Sequence, residues 1–349
     1  MKAVILEKLN SPLSVKDVEL TDLNIGQVLV KNIVSGLCGA QIQEIKGNKG
    51  NGKFLPHLMG HEGCGIVEEI GQGVSTVKVG DKVVMHWRLG SGIESEFPNY
   101  IFEGKKISSG KVTTLSEYSI VSENRLTSVP HDTSNYLCAL LGCGLTTALG
   151  VINNEVDLKF GESVMIVGCG GVGLNLIQGA NLASAYPIIG LDISEDKRER
   201  ALNLNADIFV NTKEENLQEI LEKNLTKGKI DVIIDTTGNP RVISEMMQYL
   251  SDYGRFVLVG QPNPGEDIII PNGKNMFNGV GQIVKASQGG KSDPARDIPR
   301  FIKLHRAGKI DIDKIVSHKF SLDEINEAFE LLRTGNAGRI MIEISEELK

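Results

Sequence analysis

The chain is 349 residues long, with 41% hydrophobic residues, 23% charged residues and a formal net charge of -7. That length accommodates two domains with sizeable cores, and the composition is that of an ordinary globular protein. The negative balance argues against a nucleic-acid or anionic-membrane surface, no apolar run reaches membrane length, and the opening MKAVILEKLNSP is too short in its apolar part for a signal peptide.

Residues 1–35 alternate short strands and turns, with strands expected at Ala3–Leu6 and Val28–Val34. A polar helical run follows at Gln41–Lys46, and then a loop rich in Gly, Asn and Lys at 47–52. Gly80-Asp81-Lys82-Val83 reads as a turn entering a strand, residues 86–112 as irregular and polar, and Tyr118–Val121 and Leu126–Val129 as strands again. Many short strands suggest a β-rich first domain of barrel type. From Asn135 the texture changes. Asn135–Leu149 is a helix candidate that contains Cys143. Strands at Val164–Val167, Tyr186–Leu191, Ile208–Val210, Asp231–Asp235, Arg255–Val259 and Val280–Ala286 alternate with helical stretches near Glu214–Lys223 and Val242–Leu250. This alternation predicts a doubly wound parallel sheet. Helices at Ile298–His305 and Leu322–Leu332 and a strand at Arg339–Ile344 break the alternation, and the tail is assigned back to the first domain.

The stretch after Val167 carries the first chemical signal. Gly168, Gly170 and Gly173 fit G-x-G-x-x-G between a buried strand and a helix. The first glycine permits a tight turn, the second lets backbone approach a pyrophosphate, and the third lets helix and strand pack closely. Free N–H groups at the helix start, from Gly171 and Val172 onward, suit the anion. Asp192 ends the next strand, 19 positions after Gly173, where a carboxylate accepts bonds from adenosine ribose hydroxyls and repels a 2′-phosphate. The expected cofactor is therefore NAD.

The second signal is a dispersed donor set. Cys38, His61 and Cys143 lie far apart in sequence, unlike the close pairs of structural zinc sites, and a Cys₂His set is what a catalytic zinc site uses. The five cysteines are odd in number and lack scaffold spacing, which points to a reducing cytoplasm. Around His61, residues 60–74 fit G-H-E-x(2)-G-x(5)-G-x(2)-V at every fixed position.

With GLCGA around Cys38, GHE, GDKV, GCGLTT around Cys143, GCGGVG and the closing GRIMIEI, essentially the whole chain resembles the zinc-dependent alcohol dehydrogenases of the medium-chain dehydrogenase/reductase superfamily. The resemblance implies a GroES-like, β-rich catalytic domain at 1–148 and 287–349, and a Rossmann NAD-binding domain at 149–286. It implies one catalytic zinc on Cys38, His61 and Cys143, with Glu62 behind the metal as a transient ligand. Thr147 would approach the nicotinamide, Lys197 would stand beside Asp192 at the ribose, Arg339 would pair with the pyrophosphate, and Trp87 would wall the substrate pocket or pack in the core. Small-molecule alcohol or carbonyl substrates and a homodimer or homotetramer follow from the same resemblance. The remaining histidines read as surface or turn residues, His86 and Arg88 being the two that could face the pocket, and Cys64 and Cys169 as small packing residues.

Three departures qualify it. No cysteine lies between Cys64 and Cys138, so the family's four-cysteine zinc lobe has no counterpart and residues 87–112 replace it. Ala40 stands where the family carries a relay hydroxyl. Gln41 stands where an Asp orients the ligand histidine, and its amide oxygen can accept the same bond without a full charge. The leading reading is a zinc-dependent, NAD-linked dehydrogenase of an alcohol, a polyol or a sugar-derived alcohol. The alternatives are a zinc-free quinone or enoyl reductase, against which the complete donor set argues, and a non-catalytic NAD-binding protein, supported only by Ala40.

Overall fold

The structure is a computed structural model that describes residues 1–50, 52–271, 273–278 and 281–345. Its contacts divide it into two compact units, Met1–Thr146 with Asp293–Lys349, and Thr147–Ser292. Among the described residues no single helix is long and apolar enough to cross a membrane.

The first unit is built on a seven-stranded sheet. Its order is Leu126–Val129, Lys82–His86, Glu62–Ile70, Gln27–Gly36, Arg339–Glu343 and Val316–Ser321, with Tyr118–Ser122 pairing on Gln27–Gly36. Gln27–Gly36 is the axis of the sheet. Its sequence QVLVKNIVSG is buried at almost every position because it has neighbours along its length. The C-terminal strand closes on it antiparallel, with Met341 opposite Gly36. Val28, Val30, Val83, Met85 and Val121 form one apolar cluster in this unit, and Leu6, Leu37, Phe329 and Ile340 belong to another.

Two expectations fail here for tertiary reasons. Residues 86–112 are not wholly irregular: Tyr100–Phe102 and Lys105–Ile107 form a hairpin that pairs with Glu19–Leu20. The segment is pinned by Glu123, whose carboxylate accepts the backbone N–H groups of Ser75, Thr76 and Ile93. The helix expected over Asn135–Leu149 is two helices, Asn135–Leu141 and Gly144–Gly150. They part at Gly142, where an added Cβ would lie 2.4 Å from the Met85 carbonyl oxygen and 2.8 Å from Glu62 Cα. Cys143 therefore sits in the break and not on a helix.

The second unit is a parallel six-stranded sheet in the order Ile208–Asn211, Ile188–Asp192, Val164–Val167, Ile230–Asp235, Leu250–Leu258 and Ile283–Ala286. The two central strands, VMIV and IDVIID, are apolar runs because helices cover both faces of a parallel sheet. The second strand of the dinucleotide unit starts at Ile188, after Tyr186-Pro187. The strand expected at Arg255 begins five residues earlier, at Leu250. The last strand was expected to start at Val280, which lies outside the described residues. The helix Gly144–Gly150 runs directly into a π-helical turn, Val151–Val156.

Candidate active site

The structure brings together the three donors that are dispersed in sequence. Cys38 follows the strand Gln27–Gly36 and starts the helix Gly39–Ile45, His61 precedes the strand Glu62–Ile70, and Cys143 occupies the break between two helices. Their ligand atoms all lie within 4.8 Å of one another. A tetrahedron built on zinc–sulfur and zinc–nitrogen bonds of about 2.0–2.3 Å has edges of roughly 3.5 Å, so a small inward adjustment would seat one ion. Among the described residues this is the only group of three such donors within reach of a common ion.

The electrostatics suit a cation. A hydrogen bond from the Cys143 thiol, which outweighs burial, holds Cys38 well below the usual thiol range, with His61 and Arg339 adding to the effect. Cys143, as the donor and a buried group, is held well above it. Burial works against the His61 imidazolium, but the bond to Cys38 and nearby negative charges raise it. The chain thus places two cysteine sulfurs and an imidazole ring in one small space, with one thiol drawn down by its neighbours, a donor set that fits zinc.

Glu62 is fully buried directly after His61. One carboxylate oxygen accepts the Gly144 N–H at 3.2 Å, and the other pairs with the Arg339 guanidinium. Burial raises the Glu62 carboxyl, opposed by Arg339. Arg339, expected at a pyrophosphate, is thus found on Glu62, and it keeps one buried donor, Nε, without a partner. Gln41 also differs from expectation. Its longer side chain folds back so that Oε1 accepts the Cys38 N–H at 2.8 Å, and Nε2 is buried without a partner. Ala40 is half-buried on the same helix, and the Gln43 amide oxygen accepts from Asn48 at 2.5 Å.

His86 was expected on a surface or in a turn, or facing the pocket. It is buried at the end of the strand Lys82–His86, where its ring bonds the Arg88 carbonyl at 2.8 Å and Thr127 Oγ1 at 2.9 Å. Burial pulls its pKa down to about 4. The only trace in sequence was its position closing the apolar run VVM. Trp87 is half-buried, with the Arg88 guanidinium 5.4 Å from its ring centroid.

In the second unit the glycine turn has the form its spacing implies. Gly168 adopts φ +92, with no room for a side chain beside Thr236. A Cβ on Gly173 would fall 1.9 Å from the Gly168 carbonyl oxygen, so only glycine permits this crossing. Around Gly170 there is open space on the side a Cβ would take. The helix Gly171–Leu182 starts there with no side-chain cap, which leaves the amides of Gly171, Val172 and Gly173 to an anion. Asp192 is held by its neighbours: Oδ2 accepts the Cys169 N–H at 2.8 Å, and Oδ1 accepts those of Ile193 and Ser194 at 2.8 and 3.0 Å. Lys197 is buried beside it, and burial lowers its ammonium against the pull of Asp192. Thr147 is buried at the start of this unit.

Comparison with known proteins agrees with this geometry. Residues 24–131 match the alcohol dehydrogenase GroES-like domain family, and residues 171–304 match the zinc-binding dehydrogenase family. The chain is 30% identical to alcohol dehydrogenase 6 of Peromyscus maniculatus, over 98% of this chain and 97% of that protein. It is 29% identical to S-(hydroxymethyl)glutathione dehydrogenase of Paracoccus denitrificans, over 98% and 99%. Among solved structures it is similar to benzyl alcohol dehydrogenase from Acinetobacter calcoaceticus, with TM-score 0.88, 25% identity and 99% coverage of both chains. It is also similar to 2R,3R-butanediol dehydrogenase from Bacillus subtilis, with TM-score 0.77, 25% identity and coverage of 98% and 99%. The chain therefore belongs to the zinc-dependent alcohol dehydrogenases of the medium-chain dehydrogenase/reductase superfamily, enzymes that interconvert alcohols and carbonyls.

Proposed function

We propose that the chain is an NAD-linked dehydrogenase of a polyol or sugar-derived alcohol. The observation that carries this reading is the pairing of a complete Cys₂His set with Ala40, which has no proton to pass. When bound, zinc supplies Lewis acidity that eases proton loss from a substrate hydroxyl, and NAD accepts the hydride. Cys38, His61 and Cys143 hold the metal, and Glu62, buried beside them, is the candidate transient ligand. Gly168, Gly170, Gly171, Val172 and Gly173 receive the pyrophosphate. Asp192 and Lys197 receive the adenosine ribose, and Thr147 meets the nicotinamide.

The substrate proton needs another exit. Gln43 is a poor acid and base, and its amide is already engaged by Asn48. A second hydroxyl on the substrate, or a water, supplies what Ala40 lacks. General acid–base assistance typically contributes about 10²–10⁴-fold, so a simple alcohol without that hydroxyl is a slow substrate. The intact donor set favours this reading over a zinc-free reductase. One zinc per chain, a cytoplasmic setting that keeps the five thiols free, and association into dimers or tetramers belong to the same proposal. Steady-state rates for ethanol, butanol, a vicinal diol and several sugar alcohols test it: polyols should turn over well and ethanol poorly. Faster turnover of ethanol than of every polyol would overturn the substrate assignment.

A further inference from the structure

The π-helical turn Val151–Val156 is a departure from regular helix that none of the site assignments uses. Such turns carry one extra residue and re-aim the side chains they contain. Asn154 lies within this turn. Its Nδ2 donates to the Gly290 carbonyl at 3.0 Å and to the Lys291 carbonyl at 3.3 Å, and its Oδ1 accepts from Asn153 at 2.6 Å. The bond from Asn153 fixes which end of the amide faces the loop.

That loop, Ser287–Ser292, lies against the helix Gly144–Gly150 at backbone distance. Gly290 adopts φ +65, and a Cβ there would stand 2.5 Å from both the Thr147 carbonyl oxygen and the Val151 nitrogen. A Cβ on Gly150 would stand 2.2 Å from Ser292 Oγ and 2.5 Å from the Gly290 carbonyl oxygen. Ser287 Oγ accepts the Gly290 N–H at 3.2 Å. Two glycines thus allow the crossing, and Asn154 fastens it with two hydrogen bonds, while Lys285 Nζ on the preceding strand donates to the Glu155 carbonyl.

The place of the loop gives the crossing a purpose. A dinucleotide lies along the carboxyl ends of a doubly wound parallel sheet. The glycine turn follows Val164–Val167, and Asp192 ends the adjacent strand on the adenosine side. The other half of the cofactor then extends past Ile230–Asp235 and Leu250–Leu258 toward the end of Ile283–Ala286. Ser287–Ser292 follows that last strand. We infer that Asn154 is a positioning residue for the nicotinamide half of the cofactor site, holding the Gly289–Lys291 turn against the Thr147 backbone before the cofactor arrives. The inference rests on the NAD-linked reading above. Without the clamp, binding must also order the loop, and affinity falls by that amount.

The test compares NADH with ADP-ribose, which lacks the nicotinamide, by fluorescence and calorimetry on the zinc-loaded protein. Asn154 is half-buried, and thermal unfolding of each variant checks that the fold is kept. Asn154→Ala removes both donors, and Asn154→Asp keeps the shape but turns a carboxylate oxygen on two carbonyls. Both should weaken NADH about tenfold, the loss expected for two neutral hydrogen bonds, and leave ADP-ribose affinity and zinc content unchanged. Unchanged NADH affinity in both variants would overturn the inference, and so would an equal weakening of NADH and ADP-ribose. Failure of the unaltered protein to bind NADH would instead overturn the NAD-linked reading on which the inference stands.

Discussion

Arg339 and Glu62, 277 positions apart in sequence, form an ion pair in which the side chains are only 4% and 0% exposed. The pair adjoins the donor cluster, so it neutralises a buried carboxylate next to a site that must hold a cation.

Removing one partner should therefore be worse than removing both. Arg339→Met leaves Glu62 buried and uncompensated, a change that costs about 3–5 kcal/mol, whereas a double Arg339→Met, Glu62→Met variant restores much of the loss. Thermal unfolding of the zinc-loaded protein checks this. A double variant whose loss equals the sum of the two single losses would show that the pair is not coupled.

Zinc should follow the three donors and NADH should not. Cys38→Ala, His61→Ala and Cys143→Ala should each drop bound zinc from about one per chain to near none and abolish turnover, because three protein ligands are the minimum for such a site. NADH binding should persist, since the glycine turn and Asp192 belong to the other unit. Elemental analysis and fluorescence titration read the two outcomes separately.

Cofactor choice should follow Asp192. Its carboxylate is already oriented by three backbone N–H groups, so it would meet a ribose without rearrangement. Asp192→Ala should weaken NAD by about 1.5–3 kcal/mol and narrow the preference over NADP. Equal use of both cofactors by the unaltered enzyme would contradict the assignment.

His86 should make the fold acid-sensitive. Its folded pKa of about 4 lies below the ordinary value of 6.5, so the unfolded chain binds more protons between those values. Stability is full above about pH 6.5 and is lost as pH falls toward 4, by about 3 kcal/mol. Urea midpoints measured from pH 7.5 to 4.5 should fall less steeply for His86→Gln than for the unaltered protein.

The chemistry of the site was legible where it depends on local spacing. Gly168, Gly170 and Gly173 act within one turn, and Asp192 follows on the next strand, so their sequence order is their spatial arrangement. Cys38, His61 and Cys143 were found from residue type and flanking pattern. What the sequence hid was contact between distant segments. Nothing near Gly142 announces that the Met85 carbonyl will press on it and break the helix. Nothing in KVVMH says that Thr127 and the Arg88 carbonyl will satisfy a buried imidazole. Gln41 is read as a weaker substitute for an acid until its extra methylene is seen to fold back onto Cys38. The Tyr100–Ile107 hairpin was missed because its strands are only three residues each and one of them, KKI, is mostly charged.

The return of the chain's last strand to Gln27–Gly36 sets an order of events during synthesis. All three metal donors have left the ribosome once residue 143 is out, yet the strand that completes the central sheet and carries the counter-charge to Glu62 arrives only with Arg339–Glu343. The segment Thr147–Ser292 has its own sheet and its own core, so it can fold while the first unit still waits for its closing strand. A nascent chain can thus form its nucleotide fold before its metal site is secured, and a chain cut short before Arg339 would leave Glu62 without its counter-charge and residues 34–36 without their antiparallel partner.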